Sequence, residues 1–266
     1  MTDHIFILIP ADIPTGPVKG AYALANSLVE NFEVSLVTIK HGIGANARID
    51  TRIRKICLSD YANNFFDKLT VYRRFLVTAG GPAHAVSISL CLSADILNLF
   101  SQPYASIFSS VRGNLFANYT NDYGLPGLFL AFAHLFSLRR FAKVIAMNIP
   151  MSRQIHFLTG RKPSVISNFI DESMYGDLSF SRACTGAYRF LFLGSLSIRK
   201  QPAVIVRALK EVRDLGVDAS LCFAGTGPEI TNIEKLASHL GLLDHIQIIG
   251  FVDKPENIIV RSDVLV

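Results

Sequence analysis

Two adjacent cations, Arg199 and Lys200, lie between a predicted strand and a predicted helix. The apolar run 190–194 predicts the strand, and the apolar spacing over 201–215 predicts the helix. A positive charge at a helix N-terminus opposes the helix dipole by about 0.3–1 kcal/mol. The same placement is favourable if the helix end faces an anion, because backbone N–H groups and cations then converge on it. Two interpretations stay open: a pair of solvated surface cations, or an anion site in the loop that begins at Gly194.

A glycine-rich turn follows the next predicted strand, which covers 219–224. Gly225 and Gly227 come directly after it, and Pro228 and Glu229 suit a helix start. Glycine lets the backbone approach a ligand closely. Such turns are common in α/β proteins. This turn is informative only because it follows the loop 194–200 that carries Arg199 and Lys200, which we call the cationic loop.

The N-terminal part of the chain also alternates strand, loop and helix. A strand at 4–9, a loop containing Gly16, a helix at 21–28 and a strand at 32–39 predict the opening of a doubly wound domain. The middle of the chain has weaker patterns. Over 75–94 we expect a loop and then a buried helix, with a transmembrane helix as the minor alternative. We also expect a strand piece at 96–100 and an apolar helix over 125–141.

Composition narrows the possible partners. The net charge of +5 is modest and spread out, which favours anionic small molecules or an anionic membrane surface over nucleic acid. The 4 cysteines are far apart and form no C-x-x-C pair, so we expect free thiols in a reducing cytosol and no metal site. The 7 histidines show no ligand spacing. The helix over 125–141 is apolar on nearly all faces, which favours burial over an interfacial membrane helix.

Taken in order, these segments resemble the retaining glycosyltransferases of family 4. The second domain of that family begins with a strand, a glycine and a lysine before a helix, and continues with a Gly-x-Gly-Pro-Glu turn; residues 194–200 and 225–229 match these. Looser matches lie at 142–147, 165–171, 240–242, 245–251 and 262–264. The resemblance implies an α/β chain of the GT-B fold with two Rossmann-like, doubly wound domains. It places an acceptor-side domain at 1–171, a linker at 172–188 and a partial donor nucleotide-sugar-binding domain at 189–266.

The resemblance also implies roles for single residues. Lys200 and Arg199 would be catalytic, holding the donor diphosphate and stabilising the charge on the leaving group without a metal. The implied donor-binding residues are Gly16, Gly194, Gly225, Gly227, Phe251 and Val252. Arg112 stands where many members carry an active-site histidine; it either binds an anionic acceptor or, as we favour, pairs with a carboxylate. Gln201 departs from the family, which has a glycine there.

The implied function is retaining transfer of a hexose from a UDP- or GDP-linked sugar to a glycan or lipid-linked acceptor. The setting would be surface polysaccharide or lipopolysaccharide synthesis in the cytoplasm, with peripheral contact to the inner membrane and no cofactor. The sequence stops inside a predicted strand, 261–266, before the family's E-x(7)-E motif. This predicts a truncated second domain, and the alternative is therefore an inactive nucleotide-diphosphate-binding remnant. A dinucleotide oxidoreductase fits badly, because the first loop lacks G-x-G-x-x-G.

Overall fold

The computed structural model describes residues 3–44, 48–168, 186–252 and 254–266. The chain splits into two compact units, Met1–Asp171 (unit 1) and Glu172–Val266 (unit 2), and each has its own parallel β-sheet. The linker predicted over 172–188 stays a prediction, since 172–185 lie outside the described residues, as do Cys184 and the end of the matched segment 165–171.

Unit 1 is a doubly wound α/β domain. Its described strands are β1 His4–Ala11, β2 Glu33–Lys40, β3 Arg54–Cys57, β4 Ala85–Leu90, β5 Ser106–Val111, β6 Lys143–Ala146 and β7 Ser164–Val165. Its described α-helices are α1 Gly16–Leu28, α2 Phe65–Thr78, α3 Leu92–Leu99, α4 Leu115–Tyr123, α5 Leu125–Ser137 and α6 Ile149–Thr159. The strand order is β3–β2–β1–β4–β5–β6–β7, all parallel. The order reverses between β1 and β4, and ligands of such sheets bind outside the carboxyl ends at that point.

The core of unit 1 lies on both faces of the sheet. Alternate residues of β1 point to opposite faces. Ile5, Ile7 and Ile9 pack in the cluster that contains α1 residues, whereas Phe6 and Leu8 pack in the cluster with residues of α2 and α3. Both faces are covered, which explains why β1 is an unbroken apolar run without polar alternation.

Two predictions for the middle of unit 1 were wrong. Residues 75–94 contain the end of α2 and then strand β4, which pairs with β1 and β5, in place of a loop and a buried helix. The sequence pattern did not indicate this strand because Ser87 and Ser89 are polar. Both are buried, and both side chains are hydrogen-bonded, that of Ser87 to the Tyr72 hydroxyl at 2.6 Å. The strand piece expected at 96–100 is instead the second half of α3. For so short an apolar run, hydrophobic periodicity does not distinguish a strand from a helix.

A buried polar cluster holds α3 against α5. Nε2 of His134 lies 2.7 Å from Oδ2 of Asp95, and the two side chains are 3% and 2% exposed. Ser109 also donates to Asp95, at 2.9 Å, and the Tyr119 hydroxyl lies 2.8 Å from Nδ1 of His134. Ser89 is a further donor to Asp95. A buried carboxylate that contacts two serine hydroxyls and a histidine ring is costly to disturb, because any donor left behind loses its partner.

We therefore expect Asp95→Asn to destabilise unit 1 by about 3–5 kcal/mol, since the amide would turn an N–H toward existing donors. Urea unfolding monitored by circular dichroism measures this. The control is Asp122→Asn, an exposed carboxylate in α4, which should change the unfolding midpoint little. A similar midpoint for both variants would show that the cluster does not stabilise the fold.

Unit 2 follows the sequence prediction closely. Its described strands are β8 Tyr188–Leu193, β9 Ala219–Ala224, β10 Ile246–Gly250 and β11 Val264–Leu265, and its α-helices are α7 Pro202–Asp214, α8 Ile230–His239 and α9 Glu256–Ile259. The parallel sheet has the order β10–β9–β8–β11. The final predicted strand is confirmed as β11, which pairs with β8, and Asp263 just before it forms an ion pair with Arg189.

The apolar helix predicted over 125–141 is confirmed as α5, but its prediction as a buried helix was wrong. One side is buried, and the opposite side presents leucine and phenylalanine to solvent. Among the described residues, no helix has the length and apolar character needed to cross a membrane.

Candidate functional site

The cationic loop of unit 2 begins at the end of β8. The amide of Gly194 donates to the carbonyl of Ala224 at 3.0 Å, and a 3₁₀ turn, Ile198–Lys200, carries both cations to the start of α7. Gln201 joins this turn to the helix with φ +50°, a left-handed conformation. This backbone region favours glycine, the residue that the resemblance implies at this position, so Gln201 adopts it at a cost of roughly 1–2 kcal/mol.

The positive charge in this loop is not neutralised locally. Arg199 and Lys200 are exposed, and the side chain of neither forms an ion pair or a hydrogen bond within the described part of the chain. Helix α7 has no side-chain cap and no acidic residue in its first turn. The hydroxyl of Ser197 is buried and has no hydrogen-bond partner among the residues that the structure describes. Free donors and cations at one helix end favour the anion-site interpretation over two solvated cations.

The glycine turn after β9 packs directly on the cationic loop. A Cβ added at Gly225 would lie 1.8 Å from the carbonyl oxygen of Gly194, and one added at Gly227 would lie 2.1 Å from that of Leu196. Two backbone hydrogen bonds fasten the contact, from the Leu196 amide to the Thr226 carbonyl (2.9 Å) and from the Glu229 amide to the Leu196 carbonyl (3.1 Å). Both glycines are thus explained by the close approach of the two loops.

A third loop completes this edge of unit 2. Gly250 ends β10 with φ +76° and forms a bridge with Gly225. Phe251 follows it with an exposed ring, and Val252 is half-buried. The carboxyl ends of β8, β9 and β10 are neighbours in the sheet, so the structure brings all predicted site residues of unit 2 to one edge.

The predicted site residues of unit 1 lie at the carboxyl edge of its own sheet. Gly16 is the first residue of α1, just after β1, and an added Cβ there would meet no atom within 4 Å. The fold itself therefore does not require glycine at this position.

Arg112 directly follows β5 and is half-buried. Its Nε donates to Ser110 Oγ at 3.0 Å, and its Nη1 donates to Asn168 Oδ1. Burial lowers the pKa of the Arg112 guanidinium. The prediction that Arg112 pairs with a carboxylate was wrong for the described residues, because both partners are neutral. Its charge remains available to an anionic ligand.

Sequence reasoning missed a polar pocket of about 240 Å³ at the ends of β1, β2 and β3. On one side Asp12 accepts a hydrogen bond from the Tyr22 hydroxyl at 2.7 Å, and Lys55 donates to that hydroxyl at 2.9 Å. The residues that line this pocket come from the ends of three strands. They are distant in the sequence, so their proximity follows only from the order of the strands in the sheet.

On the other side of this pocket, Sγ of Cys57 lies 3.6 Å from Nδ1 of His41, and Asp60 lies 3.4 Å from Nε2 of the same ring. One ligand atom from each of these three side chains falls within 4.8 Å of the others. The ring stands between its two partners, which favours a hydrogen-bonded chain over a three-ligand metal site.

Cys91 follows β4 at the point where the strand order reverses, with φ +76°. Burial, followed by the charge of Asp95, raises the pKa of its thiol to about 11. The thiolate fraction should therefore rise about tenfold per pH unit between pH 8 and 10. Peptide mass spectrometry after iodoacetamide labelling should show that rise for Cys91, whereas a rate that levels off below pH 9 would contradict it.

Comparisons with known proteins agree with this architecture. Residues 180–266 match the family model described as glycosyl transferases group 1. No curated protein sequence matches the chain significantly.

Solved structures are similar over nearly the whole chain. Anabaena Alr3699/HepE, in complex with UDP and glucose, has a TM-score of 0.71 at 13% identity, covering 99% of this chain and 73% of that one. A mutant of S. aureus TarM, in complex with UDP and other ligands, has a TM-score of 0.71 at 8% identity, with 99% and 80% covered. WaaG, a glycosyltransferase involved in lipopolysaccharide biosynthesis, has a TM-score of 0.66 at 11% identity, with 98% and 74% covered. At these identities the similarity shows the fold, which is that of the GT-B proteins.

Proposed function

We propose that the chain, whose residues 180–266 match the family model of glycosyl transferases group 1, is a retaining, metal-independent hexosyltransferase. Its donor would be a UDP- or GDP-linked sugar. The observation that carries the proposal is the pair Arg199 and Lys200 in unit 2. Both are exposed and lack a carboxylate partner among the described residues, and both precede a helix N-terminus without a cap.

The proposed chemistry is a same-face displacement at the anomeric carbon. The bond from that carbon to the diphosphate oxygen breaks, and a bond to the acceptor hydroxyl oxygen forms on the same face. The acceptor proton passes to the departing phosphate. Negative charge grows on the nucleoside diphosphate during this step, and Lys200 and Arg199 stabilise it through charge-assisted hydrogen bonds.

The other predicted residues have supporting roles in this proposal. Gly194, Gly225 and Gly227 shape the two loops that hold the diphosphate, and the exposed ring of Phe251 offers a surface for the nucleobase, with Val252 beside it. Stacking of a base on an aromatic ring contributes about 1–3 kcal/mol.

For the acceptor we propose a glycan or lipid-linked glycan of surface polysaccharide synthesis, used in the cytoplasm. Arg112 of unit 1, a half-buried cation with neutral partners, would bind an anionic group of it, and Gly16 would let a ligand approach the start of α1. The role of WaaG in lipopolysaccharide biosynthesis supports this acceptor class.

The test incubates the purified chain with UDP-glucose, UDP-galactose, UDP-N-acetylglucosamine and GDP-mannose, with and without EDTA. Proton NMR follows donor loss and the anomer that is first released. We expect one donor to be consumed with retained configuration and with no effect of EDTA. An inverted product or a loss of rate with EDTA would overturn the mechanism. Nucleotide binding without any turnover would favour the alternative, a nucleotide-diphosphate-binding protein.

A further inference from the structure

Helix α5 carries an exposed row of large apolar side chains. Leu125, Phe129 and Phe136 are 77%, 75% and 66% exposed, and Leu128 and Phe132 lie between them at helical spacing. We call these five residues the apolar stripe. Such a contiguous apolar surface on a protein usually marks an interaction site.

The apolar stripe cannot turn inward. On the opposite side of α5, Ala131 and Leu135 are fully buried, and His134 is tied to Asp95 and Tyr119 by the buried polar cluster. Rotating the helix to bury the stripe would expose the cluster and break these bonds. The stripe therefore faces outward as a fixed feature of unit 1.

The sequence segment that contains the apolar stripe is strongly basic. Between Asp122 and Asp171 the sequence has no Asp or Glu and six basic residues: Arg139, Arg140, Lys143, Arg153, Arg161 and Lys162. All six are exposed. The chain has 26 basic and 21 acidic residues, so everything outside this segment holds 20 basic and 21 acidic ones. The whole net positive charge of the chain thus comes from the segment that contains the stripe.

One of these cations, Arg139, contacts the apolar stripe directly, and a second, Arg161, contacts Arg139. The Arg139 guanidinium lies 5.3 Å from the centroid of the Phe136 ring, and an Arg161 nitrogen donates to the Arg139 carbonyl at 2.8 Å. On the neighbouring helix α6, Phe157 is 87% exposed. Aromatic and aliphatic side chains bordered by arginine are typical of surfaces that insert into the headgroup region of a bilayer.

We propose that the apolar stripe and its basic border dock unit 1 on an anionic lipid bilayer. Anionic headgroups would neutralise the cations while the stripe enters the boundary between headgroups and acyl chains. A second copy of the chain fits this surface poorly, because two faces of the same positive charge would repel each other. The biological role of this lipid binding rests on the proposed function, since a lipid-linked acceptor lies at such a surface. The binding itself does not require turnover of the donor.

The test is co-sedimentation of the full chain with vesicles of phosphatidylcholine alone or mixed with phosphatidylglycerol. We expect binding to the mixed vesicles only, weakened by salt because exposed charges are screened. Phe129→Asp should weaken binding about tenfold or more, whereas Phe66→Asp, the same change at a 76% exposed phenylalanine of α2, should not. Circular dichroism confirms that both variants fold.

Three results would overturn the proposal: no binding to mixed vesicles, equal binding to neutral ones, or equal loss in both variants. A dimer in light scattering that Phe129→Asp abolishes would assign the stripe to self-association instead. Donor consumption, measured on the same samples without vesicles, distinguishes failure of the lipid surface from failure of the proposed enzyme activity.

Discussion

Replacing Lys200 by alanine should lower the rate of donor consumption by about 10²–10³-fold, the usual effect of removing one group that stabilises a developing oxyanion. Lys200 sits in the 3₁₀ turn before α7, is exposed, and makes no ion pair with any described residue. Its removal therefore breaks no contact that stabilises unit 2. The loss should appear in kcat, because charge on the diphosphate grows during the reaction rather than on binding.

The matched control for this variant is Lys235→Ala, which removes an exposed lysine from α8 without touching the loops. Lys200→Arg should restore part of the rate, since it returns the charge with a different geometry. Equal rates for Lys200→Ala and Lys235→Ala would show that the cation pair is only a solvated surface feature. A higher KM with an unchanged kcat would show that Lys200 binds the donor without stabilising the transition state.

Replacing Gly225 by alanine should both destabilise unit 2 and abolish donor binding. The new Cβ would lie 1.8 Å from the Gly194 carbonyl oxygen, a backbone atom that cannot move without separating the two loops. Overpacking of this kind costs about 1–3 kcal/mol or more. Separating these two loops would also weaken the bridge between Gly225 and Gly250, so all three loops at this edge of the sheet would shift.

Gly16→Ala is the informative contrast, because its Cβ would meet no atom within 4 Å. It should leave the urea unfolding midpoint unchanged, and any loss of activity would then report on ligand approach alone. Hydrogen exchange of peptides covering 219–229 should accelerate in Gly225→Ala and stay unchanged in Gly16→Ala. Normal protection of those peptides in Gly225→Ala would contradict the proposed loop contact.

The sequence was most informative where one element follows another with clear punctuation. In unit 2, apolar runs end at Gly194, Gly225 and Gly250, so strands, loops and helices could be placed before their packing was known. In unit 1 the central strand β4 was not predicted, because Ser87 and Ser89 make it look polar. Their hydroxyls form hydrogen bonds with side chains of α2 and α3.

Partners distant in sequence were beyond prediction. Arg112 meets Asn168 across 56 positions, and no local pattern distinguishes that amide from a carboxylate. The exposed side of α5 was missed for a related reason. An apolar helix predicts burial on every side, and only the tie between His134 and Asp95 shows which side is inward.

The proposed function requires that the loops after β8, β9 and β10 bind the nucleoside diphosphate of the donor. Hydrogen–deuterium exchange of the full chain, with and without saturating UDP or GDP, tests this most directly. We expect slower exchange in peptides covering 194–204, 225–230 and 250–252 for one of the two nucleotides. Bound nucleotide with unchanged exchange in all three segments would contradict it.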